Sequence, residues 1–134
     1  MAKQFTLGKN ERLKSRKSIE QLFSEGKKIT VVPYKILYML SRSAEVPLLL
    51  FGAGVSAKNF KKAVDRNRVK RLTREAYRLQ KKNLQEKISA GSRGKANNIQ
   101  LNVFFIYTGR ELPEYNEVYK KMGVALNKLD KLIE

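Results

Sequence analysis

The chain has 134 residues, 42% of them hydrophobic, with 29 lysines and arginines against 12 acids and a formal charge of +17. That length suits one compact domain with a real core, and so large a cationic excess repels itself, which points to a polyanionic partner: nucleic acid or an anionic membrane. Histidine and cysteine are both absent, which excludes a histidine general base, a thiol nucleophile, a disulfide and a His/Cys zinc site.

Along the chain, the first 17 residues form a basic arm containing Lys3, Lys9, Arg12, Lys14, Arg16 and Lys17. Residues 1–5 lack the apolar segment of a signal peptide. With the lack of cysteine, this leads us to expect a cytoplasmic protein. Ser18 is the predicted cap of a short helix ending near Gly26, with Ile19, Leu22 and Phe23 on one face. The alternation of Tyr34, Ile36, Tyr38 and Leu40 predicts a strand over residues 34–40, although Leu37 and Met39 make its other face apolar too. Residues 41–47 read as a turn and residues 48–55 as a second strand.

The longest helical pattern covers residues 61–86, with Asn59 as its expected N-cap. Residues 90–98, rich in Gly, Ser and Asn, read as a mobile loop. A third strand follows over residues 99–107, with Ile99, Leu101, Val103, Phe105 and Tyr107 facing one way. A last helix over residues 114–133 carries the stripe Tyr115, Val118, Tyr119, Met122, Leu126, Leu129 and Ile133. No stretch approaches the ~20 apolar residues of a membrane-spanning helix. The expected architecture is a single α/β domain over residues 1–134, one mixed sheet flanked by helices.

The long helix carries the functional signal. Turned at about 100° per residue, it gathers Val69, Leu72, Ala76 and Leu79 into one sector. Lys62, Arg66, Lys70, Arg74 and Arg78 form an i,i+4 ladder on another, widened by Asn67 and Arg71. Like charges at that spacing cost a few tenths of a kcal/mol per pair. A solvated charged face is one reading of such a row. Its density, single sign and preference for arginine, which grips phosphate through two parallel hydrogen bonds, support a phosphate-binding face. Asn67 suits a base edge or ribose hydroxyl as well as an ordinary surface role.

Residues 61–75, Lys-Lys-Ala-Val-Asp-Arg-Asn-Arg-Val-Lys-Arg-Leu-Thr-Arg-Glu, resemble the arginine-rich signature of the bacterial ribonuclease P protein family. Phe51-Gly52-Ala53-Gly54-Val55-Ser56-Ala57-Lys58 before them is similar to that family too. So is Glu11-Arg12-Leu13-Lys14, followed by Ile19 and Leu22-Phe23. The resemblance implies a left-handed βαβ crossover, against the usual right-handed preference, in a fold also known from the second domain of a ribosomal small-subunit protein. It implies a protein that binds a catalytic RNA and the 5′ leader of precursor tRNA, with the active site and most bound Mg²⁺ in the RNA. No membrane and no protein partner are implied.

Carried over by residue, the resemblance assigns RNA contacts to Lys58, Lys62, Arg66, Asn67, Arg68, Lys70, Arg71 and Arg74, and the ladder adds Arg78. A cleft between the first helix and the sheet is expected to hold the leader with Arg12, Ile19, Phe23, Tyr34 and Tyr38. Aromatic rings suit single-stranded bases, but Phe23, Tyr34 and Tyr38 read equally well as core. Ile19 stands where the family often has Phe.

Other classes remain. A ribosomal or other RNA-scaffold protein fits the charge and size, and a DNA-binding regulator would need a helix-turn-helix partner before residue 61, where an apolar strand lies instead. A membrane-surface helix fits least, because the basic helix lacks a wide bulky apolar face. The scattered acids offer no carboxylate cluster for a two-metal nuclease.

Overall fold

The computed structural model describes residues 12–13, 15–43, 48–92 and 98–132. The N-terminal residues of the basic arm before Arg12, most of the 90–98 loop and Ile133 of the last stripe lie outside them.

Helix α1 spans Arg16–Glu25, capped by Ser15, whose hydroxyl accepts the Ser18 N–H at 3.3 Å. Ser18 is therefore a first-turn donor and not the cap, because the helix starts one turn earlier than the apolar pattern announces. Gly26 closes it, donating its N–H to the Leu22 carbonyl at 2.9 Å. The next five residues form a strand the sequence reading did not anticipate, β1, Lys27–Val31. It pairs antiparallel with β2, Tyr34–Ser43, across the Val32-Pro33 turn. Ser41 to Ser43 thus extend the strand and do not turn. Strand β3 is Leu48–Val55, as expected.

The expected helix over residues 61–86 is two helices, α2, Ala63–Gln80, and α3, Lys82–Ser92. They part at Lys81, which keeps helix-like angles (φ −74°, ψ −16°) and is buried, with no glycine or proline to announce the break. Lys62 takes the N-cap position without a side-chain cap. Asn59 instead donates its side-chain amide to the Thr108 carbonyl at 3.0 Å. Helix α3 runs into the expected loop as far as Ser92, and β4, Asn98–Tyr107, follows. Helix α4, Tyr115–Leu132, ends the described chain.

The sheet order is β1-β2-β4-β3, antiparallel except for the β3–β4 pair, which is parallel and joined through α2 and α3. Beyond β3, Arg12 bridges Phe51 in parallel, and the Leu13 N–H donates to the Phe51 carbonyl at 2.9 Å. The arm therefore adds a short edge to the sheet.

Period-two alternation sends side chains to two separate cores. On one face Tyr34, Ile36, Tyr38, Leu49, Phe51, Leu101, Val103, Phe105 and Tyr107 meet α2, α3 and α4 through Val69, Ala76, Tyr77, Leu84, Ile88, Met122 and Leu129. On the other, Leu37 packs with Leu13 and Leu22 of the arm and α1, joined by Ile19, Met39, Leu50, Phe104 and Ile106. The strand faces differ from the expected cleft in one respect that matters: Tyr34 and Tyr38 lie on the α2–α4 side.

Candidate RNA interface

Helix α2 is held by its inner face, which leaves its outer face available. Tyr77 stacks on Phe51 with ring centroids 3.9 Å apart and planes 7° from parallel. Thr73 donates its hydroxyl to the Val69 carbonyl at 2.9 Å, so its one proton is used. The Tyr34 hydroxyl, 2.7 Å from Thr73 Oγ1, must then be the donor of that buried hydrogen bond. Burial pushes the Tyr34 phenol up to about 12. A strand side chain thus anchors the helix that carries the cations. Leu79, expected in the core sector, is 39% exposed, and Thr73 and Tyr77 occupy the buried positions.

The cationic face divides into committed and uncommitted members. Arg66 is half-buried, and its Nη1 donates to the Phe60 and Lys61 carbonyls, each at 2.8 Å. It clasps the turn leading into α2 and leaves its other nitrogens for a ligand. Arg78 is engaged by Glu75: Nε donates to Oε2 at 3.1 Å, and Nη2 donates to Oε1. That hydrogen bond holds the Glu75 carboxyl below its ordinary range and raises Arg78. The ladder therefore weakens at its last rung. Asn67, Arg68, Arg71 and Arg74 are exposed, as are Lys58 and Lys62, and Lys70 is half-buried. Among the described residues no carboxylate forms a salt bridge with Lys70, Arg71 or Arg74. Arg68 falls outside the ladder sector.

A groove of about 430 Å³ opens at the β3 edge, lined by Arg12, Leu13, Ile19, Phe51, Gly52, Ala53, Arg74 and Phe104. It brings three expected site residues, Arg12, Ile19 and Arg74, to one place. Phe23 stands beside it on α1, 46% exposed, its ring edge-on to Phe104 at 5.6 Å.

Tyr34 and Tyr38 are corrected as cleft residues. They are 2% and 8% exposed and face α2 and α4, away from α1. Register decides this, because both faces of β2 are apolar and a one-residue shift exchanges them. The α1 side shows Leu37, Met39 and Phe104 instead. Phe104 is the aromatic that the sequence reading missed, and two glycines give it its seat. A Cβ at Gly52 would lie 2.6 Å from Phe104 Cδ2, and one at Gly54 2.8 Å from its Cε1. The ring therefore lies over the bare backbone of β3. The signal was available: if Val103 and Phe105 face one way, Phe104 faces the other.

The arrangement offers a row of phosphate-seeking cations on α2 beside a groove with stackable rings. The Ribonuclease P family model matches residues 7–129. The ribonuclease P protein component of Porphyromonas gingivalis W83 is 37% identical over 122 residues, covering 91% of this chain and 85% of its own length. That of Syntrophus aciditrophicus is 30% identical over 126 residues, 94% of this chain and 92% of the relative. The fold is similar to that of the Staphylococcus aureus RNase P protein, with a TM-score of 0.62 at 17% identity, covering 94% of this chain and all of that one. The Thermotoga maritima RNase P protein gives a TM-score of 0.57 at 22% identity, covering 88% and 96%.

Proposed function

The chain belongs to the ribonuclease P protein family, whose role is maturation of tRNA 5′ ends, and from that premise we propose that α2 binds the catalytic RNA while the α1 groove receives the precursor's leader. The observation that carries this reading is the outer face of α2. Lys62, Lys70, Arg71 and Arg74 stand there without a described carboxylate partner, on a helix fixed from behind by Tyr34, Thr73 and Tyr77. Phosphates relieve the mutual repulsion of such a row and release counterions as they bind.

The leader reading rests on Ile19, Phe23 and Phe104 around the groove, since ring faces accept any base. Lys58 lies in the turn after β3 and Arg66 clasps the start of α2, so both flank the RNA face. Arg68 and Arg78 contribute least, one by its position and the other through its pairing with Glu75. We assign the active site of the holoenzyme to its RNA. The sequence has no histidine or cysteine, and among the described residues no group of three acids converges. Magnesium seeks clustered oxygen ligands, and the described side chains do not fit such a site, so we place the metal on RNA phosphates. No described helix is long and apolar enough to cross a membrane.

The test is equilibrium binding of the cognate catalytic RNA over a range of salt. Arg71→Ala and Arg74→Ala should each weaken binding and flatten the log–log salt slope by about one. Unchanged affinity and slope in both variants would remove α2 as the contact surface.

A further inference from the structure

Away from the α1 groove, a polar pocket of about 160 Å³ opens where the end of α2 and the start of α3 meet α4. The amides of Gln80, Asn83 and Asn127 and the carboxylate of Asp130 line it. Leu84 and Leu126, both buried, give it an apolar floor. Gly123, in the interior of α4, completes the lining. Glycine is a poor helix former, and here its missing side chain makes room. A Cβ at Gly123 would lie 2.9 Å from Gln80 Oε1.

The hydrogen bonds decide what the pocket offers a ligand. Gln80 Nε2 donates to the Ala76 carbonyl at 3.3 Å and to the Tyr119 carbonyl at 2.9 Å. Both amide hydrogens are thereby used, and Oε1 is left as an acceptor. Asp130 adds carboxylate acceptors: its Oδ1 stands 3.7 Å from Lys87 Nζ, which donates to the Asp130 backbone carbonyl. Asn83 from α3 and Asn127 from α4 are exposed, and among the described residues neither amide has a hydrogen-bond partner. Acceptors beside amides that can donate suit a planar group with two adjacent donors next to an acceptor. Among the RNA bases only guanine presents that edge, with N1–H and N2–H side by side and O6 next to them. The charge needed to bring RNA here is also present. Lys82, exposed beside Asn83, stands four residues after Arg78 and continues the spacing of the α2 cations.

We propose that this pocket takes one unpaired guanine of the catalytic RNA. Asp130 and Gln80 Oε1 accept from N1–H and N2–H, and the asparagine amides donate to O6. Tyr119, 40% exposed and one turn before Gly123 on α4, supplies a ring at the open end. The proposal rests on the reading that α2 binds that RNA. It adds a base-specific contact to a surface otherwise suited to phosphates.

The experiment probes the cognate catalytic RNA, free and protein-bound, with a glyoxal-type reagent that adds across N1 and N2 of unpaired guanine. Wild type, Asn127→Ala and Asp130→Asn are compared with protein saturating, and affinities are then measured over a range of salt. Wild type should protect a guanine that both variants leave reactive, with all other protections kept. Both variants should bind several-fold more weakly without a flatter salt slope, since no phosphate contact is lost. Removing the Asp130 charge by itself favours a polyanion, so weaker binding by Asp130→Asn identifies an acceptor role. Stronger binding by that variant would overturn the proposal. So would a set of protected guanines that is the same for all three proteins, or a flatter slope in Asn127→Ala. Failure of the α2 reading is distinguished by Arg71→Ala and Arg74→Ala, which would then leave affinity and slope unchanged.

Discussion

Glu75 limits the RNA face at Arg78, and replacing it should enlarge that face by one cation. In the free protein Arg78 donates through two nitrogens to the Glu75 carboxylate, so a phosphate must displace that partner to be bound. Glu75→Gln removes the competing charge while keeping the side chain's size. If Lys62, Arg66, Lys70, Arg71 and Arg74 each neutralise a phosphate, the wild-type slope of log affinity against log salt is roughly −3.5 to −4.5, at ~0.7–0.9 per contact. The variant should steepen it by ~0.7–0.9, an extra factor of about five to eight across a tenfold change in salt. Fluorescence anisotropy with labelled catalytic RNA at several salt concentrations reads this directly. Arg78→Ala should matter little in the wild-type background and should abolish the gain in Glu75→Gln. The reasoning fails if Arg78→Ala flattens the wild-type slope as much as Arg74→Ala does, while Glu75→Gln changes nothing.

Three further outcomes follow from the geometry. Gly52→Ala should push the Phe104 ring off β3, since the new Cβ would lie 2.6 Å from Cδ2; urea denaturation should show a loss of ~1–3 kcal/mol, with leader preference reduced and catalytic-RNA affinity retained. Phe104→Ala should weaken binding of leader-bearing precursor by ~1–3 kcal/mol, the worth of one stacked base, and leave leaderless tRNA unchanged. Tyr34→Phe should cost ~1 kcal/mol near neutral pH through the lost hydrogen bond to Thr73. Because the folded protein raises the Tyr34 phenol from 10.0 to about 12, the wild type keeps this group's full contribution below about pH 10. The unfolded chain releases that proton first as pH rises, so wild-type stability should fall by ~2–3 kcal/mol relative to the variant by about pH 12. Urea titrations of both proteins across that interval should show the variant overtaking the wild type, and parallel curves would remove Tyr34 as the cause.

The parts that were legible in the sequence are those where two independent patterns coincide. Helix α2 shows both a helical apolar period and a row of one charge sign, so its position and its outward face are readable from residues alone. The faces of β4 were equally plain, because Leu101, Val103 and Phe105 alternate without interruption. Strand β2 was ambiguous for a physical reason: Ile36 and Leu37 are both buried, in different cores, so apolarity could not say which face Tyr34 shared. Strand β1 is masked by the exposed Lys27, Lys28 and Thr30, which leave only Ile29 and Val31 as a signal. The break at Lys81 has no local signature, since lysine is a good helix former and its burial is a tertiary fact. Arg78 illustrates a missed local rule: Glu75 lies three residues before it, within ordinary reach on a helix.

The most direct test is cleavage of precursor tRNA at low Mg²⁺ by the cognate ribonuclease P RNA, with and without this protein. The account predicts that correct 5′-end cleavage appears or accelerates only when protein is present, and that the gain shrinks when the leader is shortened or when Arg71 and Arg74 are both replaced by alanine. Tight binding to the RNA with no stimulation of cleavage would contradict it and leave a basic RNA-scaffold protein as the better description.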